Sequence, residues 1–383
     1  MSANEPQKLT IKQLLMVMVK KDASDIYITQ GMPPAYRING VVMPLKQEPL
    51  NSVQCEQLAN SCMSEKQRAA FAADYEMNLA LAYPDLGRFR VNIFRQMGNV
   101  GLVIRQIKTE VPTLEGLGLP EIFKDLAMAK RGLVIMVGAT GCGKSTSLAA
   151  LVDHRNRTQA GHIITIEDPV EFVHEHKKCV ITQREIGTDT HEYEAALKNT
   201  LRQAPDVILV GEIRDRKTME HALEFAETGH LCMATLHANN ANQALERVLN
   251  FFPEEVHPQV RLNLALNLKG ILSQRLVKTA DGGRIPAIEI MINTPRISDL
   301  IDKWEIGEIK ESMADGENYG MQTFDQHLLE LWRQGLVGED EALRHADSVN
   351  DLRLRMKMAK LEGNESGGGI DELTAGSSSG LKI

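Results

Sequence analysis

The sequence predicts an α/β protein of two domains, the second built on a mostly parallel sheet. Three observations carry this expectation. At 383 residues the chain exceeds the size, about 250–300 residues, at which one hydrophobic core usually stops growing. Apolar runs at Leu133–Val137, Ile163–Ile166, Val207–Val210 and Leu231–Leu236 alternate with helical stretches that begin after 144, 192, 217 and 240. Such alternation gives a parallel sheet with helices on both faces. Between the first of those runs and a helix stands Gly138-Ala139-Thr140-Gly141-Cys142-Gly143-Lys144-Ser145, the full G-x-x-x-x-G-K-[ST] pattern of a phosphate-binding loop in its required context.

The elements follow in chain order. Residues 9–20 read as a helix capped by Thr10. Patches at Ile26-Tyr27-Ile28, Tyr36-Arg37-Ile38 and Val41-Val42 suggest strands, punctuated by turns at Pro33-Pro34 and Asn39-Gly40. A helical stretch covers 53–73, and strands follow at 77–83, 88–96 and 100–107, with Pro84-Asp85 breaking the first from the second. These form a small α/β domain, 1–107, and the proline- and glycine-marked stretch 108–120 reads as a linker. The second domain spans 121–362: beyond its four strands, 258–273 reads as a strongly apolar helix, a hairpin turns at Asp281-Gly282-Gly283, and mixed helices run to about 346. Residues 351–360 alternate apolar and basic side chains. Their period suits a strand and their composition a helix, and the stretch serves either as a packed terminal segment or as a contact for an anionic membrane or a partner. The tail 363–383 is rich in Gly and Ser and is expected to be disordered.

Composition narrows the function classes. A formal net charge of −8 counts against a motor that tracks nucleic acid, which needs a basic surplus or face. The five cysteines, Cys55, Cys62, Cys142, Cys179 and Cys232, form no C-x-x-C pair. This argues against a disulfide framework or a cysteine zinc site and for a reduced compartment. The N-terminal MSANEPQKLT lacks a signal-peptide layout, and Leu14–Val19 is far too short to span a bilayer. A cytosolic chain, at a membrane only through partners, is the expectation.

The loop specifies its own chemistry. Gly138, Gly141 and Gly143 let the backbone wrap round phosphate, so that N–H groups of Ala139, Thr140 and Cys142 and the helix N-terminus face the anion. Lys144 reaches the β- and γ-phosphates, Ser145 binds Mg²⁺, and Thr146 is a weaker candidate for an α-phosphate contact. Cys142 fills a variable position, where a small tolerated residue is the plainer reading than a redox group. Two acidic clusters follow buried strands: Glu167-Asp168-Pro169-Val170-Glu171, and Glu212 after Asp206–Gly211. Ligand sites in open α/β sheets lie at that C-terminal strand edge. Glu212, in the position of a Walker B acid, is the expected base that orients or deprotonates water and a candidate Mg²⁺ partner, with Glu167 beside it. His230 and His237 flank one short apolar strand, either as packing groups or as reporters of the γ-phosphate.

Leu201-Arg202-Gln203-Ala204-Pro205-Asp206 through Gly211-Glu212-Ile213-Arg214-Asp215 resembles the signature of the secretion and type IV pilus ATPases. The order of elements agrees: the loop, an aspartate box at Ile166–Glu171, the Walker B strand, and a histidine box at Gly229–His237. Ala23-Ser24-Asp25-Ile26 and Gly31-Met32-Pro33-Pro34 resemble the family's first domain, so the likeness covers about 9–345. The chain is most similar to the PilT/PilU retraction motors, since the longer N-terminal region and tetracysteine motif of assembly ATPases are not seen. Where PilT-type chains carry a motif close to A-I-R-N-L-I-R-E, this one reads Pro295-Arg296-Ile297-Ser298-Asp299-Leu300-Ile301-Asp302-Lys303. Apolar spacing is kept and several charges are reversed, which favours the PilU-type branch. The resemblance implies a PAS-like N-terminal domain, a RecA-like ATPase domain and a homohexameric ring using ATP and Mg²⁺. It also implies a PilT retraction ATPase and an inner-membrane platform protein as partners, at the cytoplasmic face of the pilus machinery. Arginines from the N-terminal side complete such a site; Arg88, Arg90, Arg95 and Arg105 are the candidates, with Arg105 the strongest and surface solubility the plain alternative for each. An accessory subunit that mainly binds PilT or the platform, and a nucleic-acid translocase on the same core, are the rival functions; the acidic balance disfavours the latter.

Overall fold

The computed structural model describes residues 9–38, 40–107 and 110–365. Helix α1 (Ile11–Lys20) starts at a capping box in which Thr10 accepts from the Gln13 N–H, and it buries Ile11, Leu14, Leu15 and Met18 on one stripe. Strands β1 (Asp25–Ile28), β2 (Ala35–Ile38) and β3 (Val41–Pro44) precede α2 (Ser52–Cys62) and α3 (Glu65–Asp74). The expected single helix over 53–73 is thus two, because Ser64 opens a fresh capping box with Gln67 and Met63 takes an extended backbone. Strands β4 (Glu76–Tyr83), β5 (Gly87–Gln96) and β6 (Asn99–Ile107) complete a six-stranded sheet in the order β3-β2-β1-β6-β5-β4. Its pairs are antiparallel. One apolar cluster, with Leu15, Ile26, Tyr36, Phe89 and Ile104 at its centre, joins this sheet to α1 and α2.

The next elements are α4 (Ile122–Ala127), β7 (Gly132–Val137), α5 (Lys144–Thr158), β8 (Gly161–Glu167), β9 (Cys179–Glu185), α6 (Tyr193–Thr200), β10 (Val207–Val210), α7 (Arg216–Glu227), β11 (Leu231–Leu236) and α8 (Ala241–Asn250). They are followed by α9 (His257–Asn267), β12 (Leu268–Lys278), β13 (Arg284–Ile292), α10 (Pro295–Lys303), α11 (Ile309–Ala314), α12 (Phe324–Arg333), α13 (Glu339–Arg344) and α14 (Val349–Glu365). The second sheet has seven strands in the order β13-β12-β7-β11-β10-β8-β9. Parallel pairing is recorded for β7 with β11 and β12, and for β8 with β9 and β10, while β13 runs antiparallel to β12. Every residue of β7, β10 and β11 is buried, as expected of strands covered on both faces. The chain divides into two compact units, one of residues up to Thr113 with Leu148–Glu212, the other of Leu114–Ser147 with Ile213 onward.

The second domain corrects one expectation, adds a strand and settles an open reading. The apolar stretch 258–273 is not one helix: α9 ends at Asn267 and β12 begins at Leu268, where the chain pairs with β7 on one side and β13 on the other. A continuous apolar run cannot tell a buried strand from a helix by period. Strand β9 was not predicted; it lies at the sheet edge and buries only Cys179 and Ile181. The ambiguous 351–360 stretch is helical, within α14, and packs through Leu352 and Met356 on α12 and α13. The tail expected to be disordered from Gly363 begins in helix, since α14 runs to Glu365; residues 366–383, the turn residue Asn39, and Lys108 and Thr109 of the linker lie outside the described residues.

The hairpin β12–β13 turns as expected round Asp281-Gly282-Gly283. On β12, Arg275 ties the strand to the C-terminal helices: it donates to the His345 carbonyl at 2.6 Å and to Asp347 Oδ1 at 2.7 Å, and its guanidinium lies 3.8 Å from the Phe324 ring centre. Among the described residues no helix is long and apolar enough to cross a membrane.

Candidate nucleotide site

Strand β7 delivers the loop. Beyond Val137 the backbone passes through left-handed φ values at Gly138 (+149°), Gly141 (+78°) and Gly143 (+95°) before α5 begins at Lys144. A Cβ on Gly138 would stand 2.4 Å from the Gln274 carbonyl oxygen, so this position excludes a side chain on spatial as well as conformational grounds. Lys144 is buried and folds over the loop, donating to the Gly138 carbonyl at 2.7 Å and the Ala139 carbonyl at 3.0 Å. Ser145 is exposed in the first turn of α5 and Thr146 is half-buried. Burial pushes the Cys142 thiol up from its ordinary value, against the pull of Lys144. That leaves the thiol form and supports the reading of Cys142 as a small packing residue.

The same unit supplies a facing wall. Gly138, Ala139, His237, Ala238, Asn239, Gln243 and Arg247 line an open cleft of 260 Å³. His237 follows β11, whose Leu236 pairs with Val137 of β7, so the strand register sets it beside the loop. His230 lies at the other end: it and His237 flank the six residues of β11, and a rise of roughly 3.3 Å per residue puts the two histidines about 23 Å apart. The His230 ring instead meets the Thr228 hydroxyl at 3.1 Å and the Phe225 carbonyl at 3.3 Å. The two histidines therefore do not share one place: His237 stands beside the loop, and His230 takes the packing alternative, bracing the end of α7.

In the other unit, β8 and β10 bring two carboxylates to one edge. Val210 pairs with Ile166, and the Gly211 N–H donates to the Ile166 carbonyl at 2.8 Å. Glu167 and Glu212 therefore leave adjacent strand ends, and a Cβ on Gly211 would stand 3.0 Å from the Glu167 Cα. Glu167 accepts from the Thr165 hydroxyl at 2.6 Å, and burial pushes its carboxyl up to about 7. A carboxyl held there is matched to proton transfer near neutral pH.

The four arginines separate. Arg105, the strongest candidate from sequence, is engaged within the first sheet: its Nε donates to the buried Asp25 at 2.8 Å. Arg95 lies over the Phe71 and Tyr75 rings at 5.6 Å and 5.7 Å. Arg88 is exposed. Arg90 is half-buried in an acidic setting: it is 3.6 Å from Glu185, and its Nη2 atom is buried without a hydrogen-bond partner. Burial holds its guanidinium below the ordinary value, against the fields of Glu185, Glu171 and Asp168. A buried donor left over in this way is suited to receiving an anion.

A glycine-rich loop of the nucleotide-binding pattern follows a buried strand, and comparison decides the lineage. The model of the type II/IV secretion system protein family matches residues 2–302. The chain belongs to this family. It is 55% identical over 351 residues to the type IV pilus ATPase PilU of Pseudomonas aeruginosa, covering 91% of this chain and 92% of that one. It is 43% identical over 338 residues to the retraction ATPase PilT of the same organism, covering 88% and 98%. A crystal structure of the pilus retraction motor PilT with bound ADP matches with a TM-score of 0.85 and 39% identity, over 90% of this chain and 99% of that one. Within the family the chain is thus a type IV pilus ATPase of the PilT/PilU kind, with PAS-like and RecA-like domains, using nucleotide in pilus retraction and twitching motility.

Four further residues, not singled out by sequence pattern, bear on these elements. Gln274 on β12 donates to the Cys142 carbonyl at 2.7 Å and accepts from Ser147 Oγ at 2.8 Å, bracing the loop from behind. Glu289 on β13, buried and with its carboxyl raised by burial, accepts from the Ser273 hydroxyl and from the Ala241 N–H at the start of α8. It thereby anchors the wall that carries His237. Arg247 lines the cleft one turn along α8 from Gln243, a spacing that could have flagged it. Glu185, the partner of Arg90, lies on the unpredicted β9.

Proposed function

We propose that this chain is a hexameric, Mg²⁺-dependent ATPase motor that assists pilus retraction alongside a PilT-type ATPase. Its loop Gly138–Ser145 binds the triphosphate and Glu212 acts as the base toward water. The observation that carries the reading is the loop itself: glycines at left-handed φ behind a buried strand, with Lys144 folded across it. Ser145 and Glu212 offer the hard oxygen donors that Mg²⁺ prefers, and the bound ion would neutralise phosphate charge. Glu167, with its raised carboxyl, supports proton handling beside Glu212; His237 senses the terminal phosphate from the facing wall, and Thr146 touches the α-phosphate. Among the arginines we assign the anion-stabilising role to Arg90. The ring works at the cytoplasmic face, reaches the membrane only through an inner-membrane platform protein, and does not handle nucleic acid, in keeping with the net charge of −8.

Two variants test this separately. Lys144→Ala should abolish nucleotide binding, whereas Glu212→Gln should bind ATP and fail to turn it over. Undiminished hydrolysis by the latter sinks the assignment of the base. A second reading, an accessory subunit that chiefly binds PilT or the platform, is favoured by α10. Ile297, Leu300 and Ile301 pack inward, so the altered charges stand outside, where Arg296 pairs with Glu308 at 2.5 Å and Lys303 with Asp299 at 2.9 Å. Firm association with PilT by a protein lacking ATPase activity selects that reading.

A further inference from the structure

Gln274 is 3% exposed and sits one residue beyond Ser273, the β12 partner of Val137 at the end of β7. Its partners leave its amide one orientation. The Cys142 carbonyl can only accept, so Nε2 faces it at 2.7 Å and Oε1 is left to accept from Ser147 Oγ at 2.8 Å. In a trans peptide the carbonyl and the following N–H point in opposite directions. Holding the Cys142 carbonyl against β12 therefore turns the Gly143 N–H away from β12, toward the side from which an anion meets a glycine loop. Ser147, 1% exposed in the first turn of α5, fixes the rotation of the amide. The glycines admit this brace as well as the anion: a Cβ on Gly143 would stand 2.6 Å from Gln274 Nε2.

We propose that Gln274 is a positioning residue for phosphate binding, which fixes the 142–143 peptide so that the Gly143 N–H is aimed at the bound nucleotide. The proposal rests on the reading of Gly138–Ser145 as the nucleotide loop. Gln274 touches no reacting atom; it acts through the loop backbone. Its effect belongs to binding, so it should appear in Kd and KM more than in kcat.

The test compares the full-length chain with Gln274→Met, Gln274→Leu, Ser147→Ala and Lys144→Ala. MgADP affinity is read by calorimetry, ATP turnover by phosphate release, and folding by thermal unfolding without nucleotide. Gln274→Met keeps the length and removes the donor; it should weaken MgADP and raise the KM for ATP by about 10- to 100-fold, the scale of a misplaced binding group, with kcat changed by less than about threefold. Ser147→Ala leaves the bond to Cys142 and should cost less than about threefold. MgADP binding by Gln274→Met within threefold of the parent overturns the proposal, as does a loss in kcat alone or an equal loss in Ser147→Ala. Should neither Gln274→Met nor Gln274→Leu fold, Gln274 is a stability group and the proposal is overturned on that ground. Unchanged binding in Lys144→Ala would instead refute the nucleotide-loop reading, a failure distinct from that of Gln274.

Discussion

Replacing Arg105 by alanine removes the closer of two guanidinium partners of Asp25, whose side chain is 4% exposed. Arg105 Nε donates to Asp25 at 2.8 Å, while Arg37 stands 3.4 Å away and the Ser24 hydroxyl donates at 2.8 Å. Two unit charges 4 Å apart attract by about 4 kcal/mol at an effective dielectric constant of about 20. The Arg105 side chain is 58% exposed, and water and Arg37 make up much of the loss, so about 1–2 kcal/mol remains. Asp25 lies on β1 and Arg105 opposite it on β6, so the cost falls on that strand pair. Hydrogen exchange of the full chain, followed by mass spectrometry, should show β1 and β6 amides exchanging about tenfold faster. Arg90→Ala should leave those amides unchanged and lower ATP turnover instead. If Arg105→Ala leaves β1–β6 exchange unaltered, the pair contributes nothing; if it then also removes turnover, Arg105 and not Arg90 serves the nucleotide.

Other outcomes follow from buried carboxyls and the facing wall. The Glu167 carboxyl, moved from 4.5 to about 7, keeps its proton in the folded chain where the unfolded chain has released it. Its contribution to stability therefore falls as pH rises through that window, and Glu167→Gln should be more stable than the parent by up to about 3 kcal/mol at pH 8 and equal to it at pH 4.5; urea unfolding that shows the same difference at both values refutes this. Glu289→Gln keeps an acceptor for Ser273 and Ala241 while removing a carboxyl whose charged form burial disfavours, so thermal unfolding at pH 8 should show no loss, whereas Glu289→Ala should lose about 1–3 kcal/mol by leaving the Ala241 N–H unpaired. His237→Ala should lower turnover with little change in melting temperature, and His230→Ala the reverse; equal effects in both assays would reject the separation of the two histidines.

The parts legible in the sequence are those whose cause is local. A loop that needs glycine, Lys144 and Ser145 in one octapeptide can be read without the fold, as can the Thr10 capping box and four apolar strand runs. Strand β9 could not be read, because an edge strand that buries only two side chains leaves little alternation. The α9–β12 boundary was hidden since Leu264, Leu268, Ile271 and Leu272 are buried equally in helix and strand. Gln274 was invisible for a different reason. It meets Cys142 across 132 positions of sequence, through a pairing of β12 with β7 that no local pattern encodes. The arginines failed in the same way: which of Arg90 and Arg105 meets an acid near β9 and which meets Asp25 depends on tertiary placement alone.

The anchoring of Arg275 has a mechanical meaning. Gln274 and Arg275 are consecutive on a strand, so their side chains leave on opposite faces. One grips the phosphate loop and the other the segment at His345–Asp347, while Val277, two residues on, is buried among α12, α13 and α14. A strand paired on both sides resists stretching and sliding. The loop and the C-terminal helices are therefore held by neighbouring residues of one strand, a single peptide bond apart.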